Sequence, residues 1–144
     1  MSKPARPSRH AFRHFTQVPT RFGDNDAYGH VNNVAYYGYC ETAITTFLVE
    51  QGTLDIANSA VIGLIVNSGC SYFSPLGFPD RVEVGMKIAH LGNSSARYEL
   101  GLFRNDEPLA AAAAHVVYVY VDRAANTSVP IPDNVRDKLA LLLD

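Results

Sequence analysis

Strict alternation marks the clearest elements of this chain. From Arg81 to Ala89 the apolar residues Val82, Val84, Met86 and Ile88 alternate with Arg81, Glu83, Gly85 and Lys87, the period of a strand with one buried face. Leu91-Gly92-Asn93 supplies a hairpin turn, after which Ala96, Tyr98, Leu100 and Leu102 alternate against Arg97 and Glu99. Upstream, the apolar run Val61 to Phe73 is closed by the turn formers Ser74, Pro75, Gly77 and Pro79. Downstream, after a turn at Asn105 and Asp106, the segment Leu109 to Val121 is in conflict with itself. Ala110 to Ala114 favour helix, whereas Val116 to Val121 favour strand. The hairpin partner just before it and the lack of a cap predict a strand throughout.

A different period governs residues 34–52. Val34, Tyr37, Cys40, Ile44, Phe47 and Leu48 recur at intervals of three and four, predicting a helix whose apolar face they form and which Gly52 ends. Asn32 and Asn33 are suited to cap its start, because their side-chain oxygens accept from the unpaired amides of the first turn. A weaker strand is predicted from about His14 to Phe22, with Pro19 marking an edge or bulge. Thr53 to Ala60 reads as a polar connection. Pro132 to Leu142 reads as a terminal helix burying Val135, Leu139 and Leu142. One strand, one long helix and then four strands joined mostly by hairpins predict an α+β domain, an antiparallel sheet with the helix packed on one face.

Composition narrows the function classes. At 144 residues, 47% hydrophobic and 18% charged, the chain suits one domain with one core. A net charge of -2 gives no electrostatic case for nucleic acid. The basic cluster Lys3, Arg6, Arg9 and Arg13, broken by Pro4, Pro7 and Ser8, reads as a flexible tail over residues 1–11, leaving 12–144 as the domain. No apolar segment is long enough to span a bilayer or to serve as a secretory signal, so the expected location is cytoplasmic. Cys40 and Cys70 lie in apolar patterns and read as buried thiols. His10, His14, His30, His90 and His115 show no metal-ligand spacing, and no G-x-S-x-G is present.

Chemistry concentrates in Arg21 to Glu41, RFGDNDAYGHVNNVAYYGYCE, where two carboxylates, two glycines, a histidine and three asparagines precede the helix. Asp26, ionised at neutral pH, is an acceptor or nucleophile that needs no activating base. The amides at the helix start, at Asn33, carry partial positive charge suited to a developing oxyanion. Gly29 fits a sharp turn between the two. Asp24 reads as a turn carboxylate. His30 either orients substrate or water or bonds backbone within the turn, and Asn32 either holds water or caps the helix. Glu41 lies eight residues past Asn33, about 12 Å along a helix, too far to share its reacting centre.

The run Asp24-Asn25-Asp26-Ala27-Tyr28-Gly29-His30-Val31-Asn32-Asn33 before a tyrosine-rich helix resembles the 4-hydroxybenzoyl-CoA thioesterase family of the hotdog fold. The likeness continues through Tyr72, Pro75 and Asp80, the turn Leu91 to Ser95, and the ending Val119-Tyr120-Val121-Asp122. It implies a sheet wrapped around the central helix and a homodimer or a tetramer of two such dimers, with active sites at the dimer interface. It also implies hydrolysis of an acyl-CoA thioester, with Asp26 as nucleophile or general base and the Asn33 amide polarising the carbonyl. No cofactor is implied, coenzyme A being part of the substrate. Tyr28, Tyr36, Tyr37 and Tyr39 would suit an aromatic or medium-length acyl group, and Arg81, Lys87, Arg97 and Arg104 with Ser94 and Ser95 are candidates for the anionic carrier. Two other readings stand beside this one: an acyl-binding module without catalysis, and an enoyl-thioester hydratase. The hydratase pattern G-D-x-N-P-x-H is matched only at Gly23-Asp24.

Overall fold

The computed structural model describes residues 5–144; the first four residues of the basic tail lie outside the described residues. Five strands form the antiparallel sheet: β1 (His14–Pro19), β2 (Val61–Tyr72), β3 (Arg81–Leu91), β4 (Ser95–Arg104) and β5 (Ala112–Asp122). Their order is β1-β3-β4-β5-β2, with a two-residue β6 (Thr127–Ser128) added to β5. Helix α1 (Asn33–Glu50) lies in the curl of this sheet, and α2 (Asp133–Ala140) follows at the end. This is the expected hotdog arrangement.

The alternation has the predicted consequence. Val82, Val84, Met86 and Ile88 of β3, with Ala96, Tyr98, Leu100 and Leu102 of β4, are almost wholly buried in one core with α1. The alanine run is strand from Ala112 onward, three residues later than expected, with Leu109–Ala111 outside β5: Ala112 to Ala114 pair with both β4 and β2, and Ala112 and Ala114 join that core. Val135, Leu139 and Leu142 are buried as the terminal helix predicts. Cys40 is fully buried and Cys70 partly so; burial pushes both thiols above their ordinary range, which keeps them protonated and poorly nucleophilic.

The buried face of α1 keeps Cys40, Ile44 and Phe47 of the predicted one and differs from it in the first turns. Tyr36, Tyr39, Cys40, Ala43, Ile44 and Phe47 point inward, while Val34 is 69% exposed and Tyr37 is partly exposed. Apolar residues surround the first turns on several sides, so spacing alone does not choose among faces; the fixed position of Tyr39 does. β1 also stops at Pro19, short of Phe22, because Phe22–Asp24 closes into a 3-10 turn.

The outer face of the sheet is covered where the sequence suggests a tail. Ser8 bridges Leu109, the Ala110 amide donates to the Pro7 carbonyl, and Arg9 bonds Glu83 and the carbonyls of Asn105 and Glu107. Phe12 then packs with Phe103 and Ala110 in a second small core. It sits directly over Gly85 and Gly101: a Cβ on Gly101 would lie 2.5 Å from the Phe12 ring. Gly101→Ala is therefore expected to destabilise the protein by about 1–3 kcal/mol through overpacking. Most of that loss should vanish in a Phe12→Ala background, a comparison that denaturant melts of the four proteins would make.

Candidate active site

The polar loop folds back on itself before α1. Asn25 and Val31 form an isolated antiparallel bridge, the Asp26 amide donates to the His30 carbonyl at 2.7 Å, and Gly29 takes φ +81° at the reversal. Only a residue without Cβ adopts that conformation cheaply. Within the reversal, Asp26 Oδ1 accepts from the amides of Tyr28 (2.8 Å) and His30 (3.3 Å). One carboxylate oxygen is thus fixed by an Asx turn, and Oδ2 has no protein partner among the described residues.

Asn32 caps α1, its Oδ1 accepting from the Val34 amide at 3.0 Å. The next amide, that of Asn33, has no acceptor among the described residues and stands at the positive end of an 18-residue helix. Asp26 and Asn33 line one open cleft of about 440 Å³ with His30, Tyr36, Tyr72 and Ser74. The Tyr36 and Tyr72 rings meet edge to face at 4.9 Å, and the Tyr72 hydroxyl donates to the Asn33 carbonyl at 3.3 Å. Burial pushes the Tyr36 phenol up, and the negative charge of Asp26 adds to the rise, so that wall of the cleft stays neutral.

Asp24 has a different fate from Asp26, two residues away. It is buried; its Oδ2 accepts from the Tyr39 hydroxyl (2.7 Å) and the Arg21 amide (2.9 Å), and its Oδ1 from the Arg21 guanidinium (3.1 Å). Its backbone carbonyl accepts from the Asn32 amide at 2.8 Å. Burial pushes the carboxyl up, but the bonds from Tyr39 and Arg21 outweigh it and hold Asp24 below the usual carboxylate range. The carboxylate therefore pins the loop to α1 through Tyr39, fifteen positions on, a candidate for contact with the acyl group that is instead buried against Asp24.

The remaining predicted positions lie elsewhere. Tyr28 is 85% exposed at the turn. Arg81 faces Asp106 at 3.6 Å, Arg104 bonds Asp80, and Ser94 and Ser95 accept backbone bonds in the β3–β4 turn. Lys87 pairs with Asp144 and Arg97 with Glu99, both beside a separate hollow on the outer sheet face. None of these lines the Asp26 cleft. Tyr72, the last residue of β2, and Ser74, one of the turn formers that follow it, do, and neither place in the chain points by itself to the cleft. Among the described residues no three His, Cys, Asp or Glu side chains converge as a metal site, and no helix is long and apolar enough to cross a membrane.

Residues 20–139 match the family model of the thioesterase-like superfamily. The fold superposes on the PA5185 protein of Pseudomonas aeruginosa with a TM-score of 0.95 and 49% identity, covering 97% of this chain and 98% of that one. BH1999, a gentisyl-coenzyme A thioesterase, is 27% identical with a TM-score of 0.77, over 88% of this chain and 99% of that one. A 1,4-dihydroxy-2-naphthoyl-CoA thioesterase from Synechocystis shares the fold at a TM-score of 0.79 and 16% identity, over 88% and 94% of the two chains.

The Asp24 lock carries a pH signature. A carboxyl depressed on folding contributes stability that is complete above its unfolded value, about 3.9, and is lost as pH falls through the folded one. Asp24→Asn should melt below wild type at pH 7 and lose less further stability between pH 4 and pH 2, as thermal melts across that range would show.

Proposed function

The chain belongs to the thioesterase-like superfamily, and on that premise we propose that it hydrolyses acyl-CoA thioesters to the free acid and CoA. The observation that carries this reading is the pairing, in one cleft, of a carboxylate oxygen and a helix-start amide that both lack partners among the described residues. A thioester carbonyl seated at the Asn33 amide gains negative charge as it is attacked, and the helix end stabilises that charge without reorganising. Asp26 supplies the attack. As nucleophile, its oxygen bonds the carbonyl carbon, the C–S bond breaks, CoA leaves as a thiolate that takes up a proton, and water then cleaves the acyl-aspartyl anhydride. As general base, it takes a proton from the water that attacks directly. Single turnover in ¹⁸O-water tests the covalent route: water that attacks the aspartyl carbonyl of the anhydride leaves label in Asp26, which the general-base route never does, whereas attack at the acyl carbonyl labels the acid in both.

The edge-to-face pair Tyr36 and Tyr72 forms an apolar, polarisable wall suited to an aromatic acyl group, in keeping with the gentisyl substrate of the relative. His30 bonds Asp26 through its main chain and borders the cleft, and the role proposed for its ring is to order water or substrate.

The proposed unit is a homodimer or a pair of dimers. Among the described residues β2 (12 residues) pairs with β5 alone, which leaves its other edge open, and Leu64, Ile65 and Val66 are exposed on it. A long apolar open edge is a template for pairing with a second copy. Antiparallel self-pairing there would set the Tyr72 end of β2, and so the cleft, against the Val61 end of the partner.

Asp26→Asn is expected to reduce thiol release from an acyl-CoA panel by about 100-fold or more. Equal turnover by both proteins would remove Asp26 from the mechanism. Absence of thiol release from any acyl-CoA would favour the binding-module reading, and loss of enoyl absorbance would favour hydration. On a sizing column the wild type should elute as a dimer or tetramer. Ile65→Lys, placing a charge on the open edge, should shift it toward monomer and lower activity; a fully active monomer would contradict an interface site.

A further inference from the structure

The N-terminal arm touches the wall of the cleft. Arg6 Nε donates to the Ala110 carbonyl at 2.7 Å, and Arg6 Nη2 donates to the Ser74 hydroxyl at 3.0 Å. Ser74 lines the cleft together with Phe73 and Pro75. The backbone of this wall hangs from one carbonyl: the Phe73 and Ser74 amides both donate to Ala111, at 2.8 and 3.1 Å. One residue further on, the Leu76 carbonyl accepts from the Val31 amide at 2.7 Å, joining the wall to the loop that carries Asp26 and leads into Asn33.

We propose that Arg6 is a positioning residue for thioester hydrolysis: its guanidinium spans the Ala110 carbonyl and the Ser74 hydroxyl, and so sets the Ser74–Pro75 wall at a fixed distance from Asp26 and the Asn33 amide. Guanidinium geometry suits the task, because its rigid fork addresses two acceptors at once. The anchor behind it is firm. Arg9 lies over the Phe103 ring at 4.7 Å and bonds three acceptors, and Phe12 fills the hollow above Gly101. The arm is thus tied to the sheet independently of Arg6, so the loss of Arg6 should loosen the wall and leave the fold. A wall that wanders weakens binding of the acyl group equally in the ground and transition states, which appears as a raised KM at constant kcat.

The kinetic arm of this inference rests on the thioesterase reading; its exchange arm does not. With the acyl-CoA that wild type turns over fastest, Arg6→Ala should raise KM about five- to tenfold while kcat stays within about twofold. Arg6→Lys, which keeps one donor, should recover part of the loss. Ser74→Ala should raise KM similarly, and the double variant Arg6→Ala/Ser74→Ala should be no worse than either alone, because both remove the same bond. In parallel, hydrogen exchange at the Phe73 and Ser74 amides should accelerate in Arg6→Ala while the amides of β3 and β4 stay unchanged. Fully additive KM effects, or exchange at Phe73 and Ser74 equal to wild type, would overturn the proposal. If no thioester is hydrolysed at all, the catalytic reading fails on its own terms, and exchange alone then decides whether Arg6 holds the wall.

Discussion

A buried carboxylate holds this molecule's working parts in register. Asp24 is removed from water in a structure whose other buried side chains are almost all apolar, and it remains charged because Tyr39 and Arg21 together meet both of its oxygens. Its removal from solvent is tolerable only while all those donors are in place. Tyr39 belongs to α1 and Arg21 to the approach from β1, so the condition for keeping Asp24 satisfied is the docking of the loop onto the helix. The Asn32 amide on the Asp24 carbonyl extends the same constraint to the cap.

From this lock follows a division of labour between two acids. Asp24 spends all its hydrogen-bonding capacity on structure, whereas Asp26 commits one oxygen to the turn and keeps the other open. The same turn brings the chain back at Gly29 so that the helix opens beside it. Preorganisation here is backbone geometry: the amides of Tyr28 and His30 aim the carboxylate, and α1 aims its own first amide.

Much of this was legible from residue order. The alternation in β3 and β4 reports burial because a strand's faces switch at every residue, leaving no ambiguity of phase. The turn at Gly29 and the cap at Asn32 were legible because turn and cap chemistry is local. The helix face was not, since Val34 and Tyr37 are as apolar as Tyr36 and Tyr39 and only the tertiary bond to Asp24 selects between them. The arm was opaque for a related reason. Arginines among prolines have the composition of a solvated tail, and their partners are backbone carbonyls about a hundred residues away, which leave no trace in side-chain type. Tyr72 and Ser74 entered the cleft through long-range pairing of β2 with β5, equally invisible to a local pattern.

The seating of Phe12 over Gly85 and Gly101 does leave a trace, though not where the arm itself is written. Two facing glycines on neighbouring central strands, an otherwise unfavourable choice for a sheet, are the mould of an aromatic ring supplied from the far end of the chain. In a related chain without such an arm, the ring at position 12 no longer restricts these two positions, and what still limits them is Phe15 over Gly85 and Phe103 beside Gly101. The identity of residues 85 and 101 should therefore covary with that of residue 12, and the lineage history of the arm can be followed through the sheet beneath it.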